Sequence, residues 1–269
     1  MRTNPKLSLV VFILFVSGIL FFLSCNKSSS GSNVISRLEL RLTDDPAVYD
    51  AVYIDIQKVE VNASSDTGTN TGWQSLPVLR PGVYNLLNFR NGIDTLLAAM
   101  DLPAGKLSQI RLILGDNNSL VVNGQSFTLT VPSGQQSGLK LNIDATLTAG
   151  IVYRLWIDFD ASRSIVAAGN SGKYLLKPVL RTYSEAMGGS IKGFVLPVDA
   201  QPQVWAVKGT DTLLALPDPT NGYYFVGGVN AGSWNLLIHA GNTAYTDTSF
   251  AVTVSTGEVA NAGVVTLGK

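Results

Sequence analysis

Hydrophobic and polar residues alternate with a period of two along most of the chain after residue 34. In RLELRLT the leucines at positions 38, 40 and 42 alternate with charged residues, so one side of the segment is apolar and the other is charged. This period is typical of a β-strand with one buried face. The same pattern predicts further strands over residues 51–62, 109–114, 119–123, 127–131, 139–143, 151–160 and 175–183.

The segment over residues 51–62 changes face half-way along. Its apolar residues stand at even positions as far as Ile56, and the series resumes at odd positions with Val59. One extra residue at Gln57 or Lys58 would bring both series to the same face of the sheet. The pattern therefore predicts a β-bulge at this point.

Only residues 84–100, YNLLNFRNGIDTLLAAM, have a helical pattern, and Gly92 divides them into two short pieces. The connectors between the strands are rich in glycine, asparagine and serine, and the pair Asn123 and Gly124 predicts a tight hairpin. After residues 181–190 the pattern restarts with seven short strands, spaced about ten residues apart. Such spacing is typical of a small β-sandwich.

These patterns predict an all-β chain with two β-sandwich-type domains in series. The first domain covers residues 34–184 and contains one short helical insertion, and the second covers residues 188–269. Both lengths allow a sizeable hydrophobic core.

The first 24 residues have a different composition. Arg2 and Lys6 precede residues 7–23, a run of seventeen residues without a charge. A basic start followed by an apolar run is the layout of a secretory signal. A membrane-spanning helix needs about 20 apolar residues, so a stable span is the weaker alternative.

The only cysteine of the chain, Cys25, stands directly after this run. Because it follows the small residue Ser24, the segment resembles a bacterial lipoprotein signal, in which a small residue precedes an invariant cysteine. The resemblance implies removal of residues 1–24, diacylation of the Cys25 thiol and acylation of the new amino terminus. Several acyl chains, at about 0.8 kcal/mol for each buried methylene group, would anchor the protein in a membrane. Residues 25–33 would then form a flexible tether; the alternative is a chance cysteine at the end of a signal peptide or anchor helix.

Charge and motif content exclude several classes of function. Loss of Arg2 and Lys6 from the 19 basic residues would leave 17 against 19 acidic ones, without a basic cluster, so nucleic-acid binding is not predicted. With Cys25 lipidated, the fold cannot depend on disulfide bonds. The single histidine, His239, excludes a His-rich metal site and is interpreted as structural. Motifs for nucleophilic serine, phosphate or dinucleotide sites are absent from the sequence, so no enzyme is predicted.

One group of candidate site residues lies on the predicted strand over residues 151–160. The alternation places Arg154, Trp156, Asp158 and Asp160 together on the face opposite the core. A tryptophan among charged residues could be a sugar-stacking platform or half of a calcium site. The favoured interpretation is a solvated face, with Arg154 paired to Asp158 and Trp156 covered by the helical segment.

A second group of acids, Asp44, Asp45 and Asp50, lies in the loop LTDDPAVYD. A cation site is one interpretation, but the loop lacks the alternating ligand spacing of a calcium loop. A turn with aspartate caps is the favoured interpretation. No confident metal site and no cofactor other than this calcium alternative are predicted.

Two parts of the chain resemble known families. Residues 35–183 resemble the domain of unknown function 4382 family of bacterial and archaeal envelope proteins, through LRLTDDPAVYDAVYIDIQKVEV, YNLLNFRNG, LPAGKLSQIRLIL, VPSGQQSGLKL, YRLWIDFDASRSIV and YLLKPVLRTY. That resemblance implies an extracytoplasmic β-rich domain and no established activity. Residues 188–268 resemble carboxypeptidase-regulatory, transthyretin-like modules, through GSIKGFV, VWAVKGTDTLLALPDPTNGYYFVGGVNAGSWNLLIHA and VSTGEVANAGVV. This second resemblance implies a spacer or structural β-sandwich rather than a catalyst.

The sequence thus predicts a lipid-anchored protein of the bacterial cell envelope, at the outer membrane and either periplasmic or surface-exposed. Its expected role is that of a non-enzymatic binding, adhesion or structural module. The expected partners are the membrane, through the lipid anchor, and a glycan or another envelope protein. The alternatives are a subunit of a surface assembly or polysaccharide-handling complex, and an acid-dependent hydrolase that uses Asp158, Asp160 or Asp44.

Overall fold

Strands account for nearly all of the regular structure. The computed structural model describes residues 35–45, 47–63, 72–132, 138–169, 171–185 and 188–269, and the predicted signal and tether, with Cys25, lie outside the described residues. Over the described residues there are 20 strands, one short α-helix and two 3-10 helices, so the predicted all-β fold class is confirmed. No helix in this part of the chain has the length and apolar character needed to cross a membrane.

The strands of the first part of the chain are β1 (Ile35–Thr43), β2 (Ala51–Asn62), β3 (Trp73–Leu76), β4 (Gly82–Asn85), β5 (Thr95–Pro103), β6 (Gly105–Leu114), β7 (Ser119–Val122), β8 (Gln125–Thr130), β9 (Leu139–Leu147), β10 (Val152–Phe159), β11 (Ile165–Ala167), β12 (Tyr174–Leu176) and β13 (Leu180–Ser184). Those of the second part are β14 (Gly189–Leu196), β15 (Pro202–Lys208), β16 (Asp211–Ala215), β17 (Tyr223–Val229), β18 (Gly232–Ala240), β19 (Thr248–Val254) and β20 (Val259–Thr266). The α-helix, α1, spans Ala161–Ser164, and the 3-10 helices span Leu86–Phe89 and Val198–Ala200.

Strands β1–β13 form two sheets that share one core. Sheet 1 has the strand order β13-β10-β1-β5, and sheet 2 has the order β11-β12-β8-β7-β2-β6-β9, with β3 and β4 also paired to β2. Leu38 and Leu40 of sheet 1 and Ile54 of sheet 2 are fully buried in one hydrophobic cluster. The faces that the two-residue period predicted as apolar therefore pack against each other. We call sheets 1 and 2 the N-terminal sandwich.

Two local predictions are confirmed in sheet 2. The register of β2 against β6 shifts between Ile56 and Lys58, and both Ile56 and Val59 are buried, as the predicted bulge requires. The turn between β7 and β8 consists of Asn123, with φ of 50°, and Gly124, with φ of 74°. Positive φ at both central residues is what a tight hairpin of this type needs.

The predicted helical segment over residues 84–100 is wrong for its second half. Only Leu86–Phe89 forms a 3-10 helix, which Asn85 caps, whereas Thr95–Pro103 is β5 and pairs antiparallel with β1. Leucine, alanine and methionine favour helices by a few tenths of a kcal/mol each. Pairing with a buried neighbouring strand outweighs so small a preference.

Residues 175–183 are also not the single strand that the pattern predicted. Pro178 separates β12, which belongs to sheet 2, from β13, which belongs to sheet 1. Proline has no backbone N–H and therefore interrupts a sheet ladder. The break matters for the site, because it places β13 beside β10, with Arg181 opposite Asp158.

Strands β14–β20 form a second pair of sheets, which we call the C-terminal sandwich. Sheet 3 has the order β17-β14-β20, and sheet 4 has the order β16-β15-β18-β19. All seven strands predicted after residue 188 are present, and Tyr224, Trp234 and Leu236 are buried in their core. Residues 35–269 form one compact unit, so the division into two domains stays a prediction.

Candidate functional site

Arg181 joins the two sandwiches through acceptors on both. It lies on β13, and its Nη2 is 2.5 Å from Asp158 Oδ2 and 3.4 Å from Asp45 Oδ1. Its Nη1 donates to the backbone carbonyl oxygens of Gly227, at 3.0 Å, and Gly228, at 3.5 Å, on β17. One half-buried guanidinium therefore ties sheet 1 to sheet 3.

The backbone of β17 can approach β13 this closely because Gly228 has no side chain. Its φ is 63°, a conformation that L-residues rarely adopt. A Cβ atom at this position would overlap the ring of Tyr183 on β13. Any larger residue would push the two sandwiches apart and lengthen the contacts of Arg181.

Three carboxyl groups predicted as site residues are buried near this arginine. Asp44, Asp158 and Asp160 are only 4%, 2% and 8% exposed. Asp44 Oδ1 accepts the N–H of Ala161 at 3.2 Å, and Asp160 Oδ1 accepts the N–H of Arg163 at 2.8 Å, as the N-cap of α1. Asp44 Oδ2 and Asp158 Oδ1 have no hydrogen-bond partner among the described residues. Asp44 and Asp45 of the loop group thus lie beside Asp158 and Asp160 of the strand group.

Burial shifts the ionisation of these acids towards the protonated form. Desolvation, followed by the negative charge of Asp158, raises the pKa of Asp44 well above its ordinary value. The same two causes raise the pKa of Asp45 to about 7, against the opposing effect of Arg181. Desolvation also raises the pKa of Asp158, again opposed by Arg181. A single arginine cannot neutralise all of these carboxylates, so the cluster retains protons near neutral pH.

Trp156, the centre of the predicted ligand face, is largely engaged within the protein. Its ring stacks on Tyr183, with ring centroids 5.5 Å apart and 3° between the planes. Its Nε1 donates to Asp94 Oδ2 at 2.7 Å. The other oxygen of that carboxylate, Asp94 Oδ1, lies 2.6 Å from Arg41 Nη2. The ring also borders a cleft of about 220 Å³ that Phe225 lines from the C-terminal sandwich. Trp156 is half-buried by these neighbours and is not an open platform.

Arg154 lies apart from the buried acids. Its Nε is 3.3 Å from Glu39, and its Nη1 is 3.9 Å from Glu185, both on the exposed surface of sheet 1. The expected pair between Arg154 and Asp158 is wrong, because Arg181 from the adjacent strand binds Asp158 instead. Exposed pairs such as those of Arg154 contribute about 0–1 kcal/mol each.

The loop acids Asp44, Asp45 and Asp50 do not share one site. Asp50 Oδ2 accepts the N–H of Gly124 at 2.8 Å and so holds the β7–β8 turn. Arg181 supplies the positive charge that faces Asp45. In the part of the chain that the structure describes, no group of three or more His, Cys, Asp or Glu residues could hold a metal ion. Calcium binding stays a prediction.

Sequence reasoning missed Arg181 and Tyr183 as site residues. Both alternate along β13 as Asp158 and Trp156 alternate along β10, with Arg181 opposite Asp158 and Tyr183 opposite Trp156. The sequence does contain a signal for this pairing, because Arg181 and Tyr183 have the same spacing as Asp158 and Trp156. The signal identifies a site only when β10 and β13 are known to be neighbours.

Replacement of Arg181 by methionine should lower the free energy of unfolding by about 3–5 kcal/mol at pH 7, because buried carboxylates lose their cation. Urea denaturation of the full chain in detergent measures this. Arg163→Met is the matched control, since Arg163 is 69% exposed and lies 3.7 Å from Asp160. The control should lose less than about 1 kcal/mol. Equal losses in both variants would contradict the role given to Arg181.

The protein should lose stability as the pH rises from about 4 to 7. Burial raises the pKa of Asp45 from 3.8 to about 7 in the folded protein. A raised pKa gives stability that is complete below the unfolded value and is lost as the pH rises through the folded value. The loss from this group is at most about 4 kcal/mol.

Asp45→Asn should flatten that decline, which urea denaturation at a series of pH values would measure. Asp144→Asn is the control, because the Asp144 carboxyl is 91% exposed and contacts only Lys106. The control should keep the slope of the wild type. Identical slopes for all three proteins would show that Asp45 does not cause the pH dependence.

Comparison with solved structures gives proteins of low similarity, among them a pilin and a putative adhesin. The TIE protein of Bacillus anthracis has 11% identity and a TM-score of 0.25, over 87% of this chain and 34% of its own. A streptococcal ancillary pilin has 12% identity and a TM-score of 0.22, over 88% of this chain and 63% of its own. A putative adhesin from Bacteroides ovatus has 9% identity and a TM-score of 0.25, over 87% of this chain and 93% of its own. The chain thus spans about a third of the first of these proteins and under two thirds of the second.

Comparison with family models and curated proteins gives one family. No curated protein matches the chain. A family model described as "Domain of unknown function (DUF4382)" matches residues 36–178, which is more than half of the chain. The matched range contains Asp44, Asp158 and Asp160, and it ends three residues before Arg181. The chain therefore belongs to the DUF4382 family, through the N-terminal sandwich.

Proposed function

We propose that this protein is a lipid-anchored module of the cell envelope that acts by binding, adhesion or structural support rather than by catalysis. The observation that carries the proposal is the contact of Arg181 with Asp45, Asp158 and the β17 backbone. Of the acids that could have been catalytic, Asp158 binds the arginine that reaches β17, whereas Asp160 and Asp44 accept backbone N–H groups of the N-terminal sandwich. Fixed packing of two β-modules suits a protein that presents a surface to a partner.

The competing function, an acid-dependent hydrolase, would use Asp158, Asp160 or Asp44. General acid–base catalysis needs a carboxyl group within hydrogen-bond reach of the substrate. The three side chains are almost completely buried, and Asp160 is occupied as a helix cap. The raised pKa values of Asp44 and Asp158 have a structural cause, because burial and the repulsion of neighbouring carboxylates account for them. The burial favours a structural role for these acids.

The proposed anchor rests on the sequence of the first 33 residues. The charged start, the seventeen-residue apolar run and Cys25 after Ser24 are the features of a lipoprotein signal. Lipidation would place the protein at the outer membrane, on the periplasmic side or on the cell surface. The C-terminal sandwich, with its resemblance to transthyretin-like modules, would then be the part displayed to a glycan or another envelope protein. A subunit of a surface assembly or a polysaccharide-handling complex is the related alternative.

Cys25→Ser should abolish membrane retention or leave the precursor unprocessed, because the serine hydroxyl cannot form the thioether. Fractionation of cells, with mass spectrometry of the amino-terminal peptide, would measure the outcome. Ser28→Ala, in the same tether, is the matched control and should remain in the membrane. Unchanged retention of Cys25→Ser, with residues 1–24 still attached, would instead support a membrane span.

The protein should bind oligosaccharides or envelope polysaccharides without hydrolysing them. The full chain in detergent would be tested on an array of oligosaccharides and envelope polysaccharides, and the same ligands would be assayed for new reducing ends. Asp160→Asn, which removes a charge and keeps a side-chain acceptor at the N-cap of α1, should bind as the wild type does. Release of reducing sugar that Asp160→Asn abolishes, and that the exposed control Asp144→Asn does not, would establish a hydrolase instead.

A further inference from the structure

Trp205 differs from the other three tryptophans of the chain. Trp73 contacts an arginine guanidinium, Trp156 stacks on a tyrosine ring, and the buried Trp234 donates to a backbone carbonyl. Trp205, on β15, is half-buried, as Trp156 is. Among the described residues, no aromatic ring, cation or hydrogen-bond acceptor is paired with its indole. This ring is therefore available to a molecule from outside.

Strand pairing places Trp205 in the middle of the outer face of sheet 4. Trp205 lies opposite Leu214 on β16 and opposite Leu237 on β18, and Leu237 lies opposite Ser249 on β19. Residues in such a row are about 4.8 Å apart across the sheet and point to the same side. Leu237 is 40% exposed, so the row is open to solvent and forms an apolar strip centred on the indole.

The neighbouring row on this face is polar and pre-oriented. Gln203 lies opposite His239, and His239 Nδ1 is 2.8 Å from Asp247 Oδ2. The Asp247 carboxylate can only accept, so Nδ1 carries the hydrogen and Nε2 is left for a ligand. Asp247 in turn accepts the N–H of Ala240 at 2.8 Å, and this bond, followed by that from His239, lowers the pKa of Asp247. The imidazole is thus held in one orientation, with its side chain 55% exposed.

The outer face carries almost no charge. Apart from His239, the outward-facing residues of β15, β16, β18 and β19 are uncharged, and Asp247 pairs with that histidine. The charged side chains of these strands, Lys208 on β15 and Asp211 on β16, lie opposite each other at one end of the sheet, outside the rows of Trp205 and His239. The face around Trp205 combines one apolar ring with hydroxyl, amide and imidazole groups.

Grooves border Trp205 on both sides. One, of about 580 Å³, is lined by Trp205, Leu237, His239 and Ser249. The other, of about 530 Å³, is lined by Trp205, Asp211 and, from the N-terminal sandwich, Arg163. Because Trp205 borders both grooves, a ligand lying over the indole could extend in two directions.

We propose that the outer face of sheet 4 is a saccharide-binding site, in which the C–H face of a sugar ring stacks on Trp205. Gln203, His239 and Ser249 bind the hydroxyl groups, and adjacent sugar units of the chain occupy the grooves on either side. Sites for small uncharged ligands combine an aromatic surface with a few oriented polar groups in this way. The inference rests on the proposed binding function and names its ligand class.

The chemistry of the face favours a saccharide over a second copy of the chain. A self-associating face would require a larger contiguous apolar area, because stable protein interfaces bury about 800 Å² on each partner. Here the apolar strip is one row deep, with the polar row of Gln203 and His239 on one side of it. Alternation of one apolar row with one polar row matches a sugar, which presents C–H groups on its faces and hydroxyls at its edge.

The test uses the full chain in detergent on an array of neutral and acidic oligosaccharides, followed by titration with the best-bound oligosaccharide. Trp205→Ala should raise the dissociation constant for this oligosaccharide by about tenfold or more, a loss of at least about 1.4 kcal/mol of binding free energy. His239→Ala, at an exposed position, should raise the same dissociation constant several-fold without affecting folding. Val264→Ala is the matched control, because Val264 is 62% exposed on sheet 3, away from this face. The thermal unfolding midpoint of each variant would show that it is folded.

Each outcome decides a different point. Loss of affinity in Trp205→Ala and His239→Ala, with unchanged affinity in Val264→Ala, supports the site. Saccharide binding that neither substitution weakens overturns the site and leaves the proposed binding function intact. The absence of saccharide binding, with capture of another envelope protein, also overturns it. A concentration-dependent dimer that Trp205→Ala abolishes would identify the face as a contact between copies.

Discussion

The ion pair between Arg181 and Asp158 is the interaction on which the arrangement of the two sandwiches depends. The Asp158 carboxyl is buried, and the Arg181 side chain that supplies its counter-charge is 27% exposed. The guanidinium is planar and carries five N–H donors, so it can bind two carboxylates and two backbone carbonyl oxygens at once. A lysine ammonium could supply the charge but not this geometry. This side chain, and the glycine that lets it approach, therefore help to fix sheet 3 against sheet 1, together with the bond from Asn91 Nδ2 to the carbonyl oxygen of Leu216.

Burial of several acids around one arginine costs stability that a hydrophobic contact would not cost. Replacement of buried ion pairs by apolar residues is often neutral or stabilising in other proteins. The directional contacts of Arg181 with Asp45, Asp158 and the β17 backbone define one docking geometry, which an apolar patch would not do. We expect this cluster to lower the stability of the fold while it fixes one orientation of the C-terminal sandwich. The raised pKa values of Asp44 and Asp45 are a consequence of burying these acids.

The sequence predicted those features of the fold that depend on residues close together in the chain. The strand faces, the bulge after Ile56 and the Asn123-Gly124 turn follow from a few consecutive residues. The second half of the predicted helix failed because pairing of β5 with β1 involves residues about 60 positions apart. The outward face of β10 could not be predicted as buried, because Arg181 and the backbone at Gly227 cover it from other strands.

The candidate site could be predicted only to the same extent, because its contacts join residues far apart in the sequence. Asp158, Asp160 and Asp44 were identified by residue type, but their roles depend on which strand lies beside β10. His239 was interpreted as structural, whereas its pair with Asp247 and its place beside Trp205 become visible only from the register of sheet 4. Trp205 carried no signal in the sequence, since an alternating strand does not reveal whether its outward ring has a partner.

The short connection between β13 and β14 has a mechanical consequence. β13 ends at Ser184 and β14 begins at Gly189, so any pull on the C-terminal sandwich is transmitted almost directly to β13. β13 is an edge strand held to sheet 1 by five residue pairs with β10, and tension alone would tend to peel it away. Arg181 bonds to β17 and, through Asp158, also to β10, so part of the load passes to the inner strand of sheet 1. A tethered protein that holds a partner under shear would gain from such a reinforced joint.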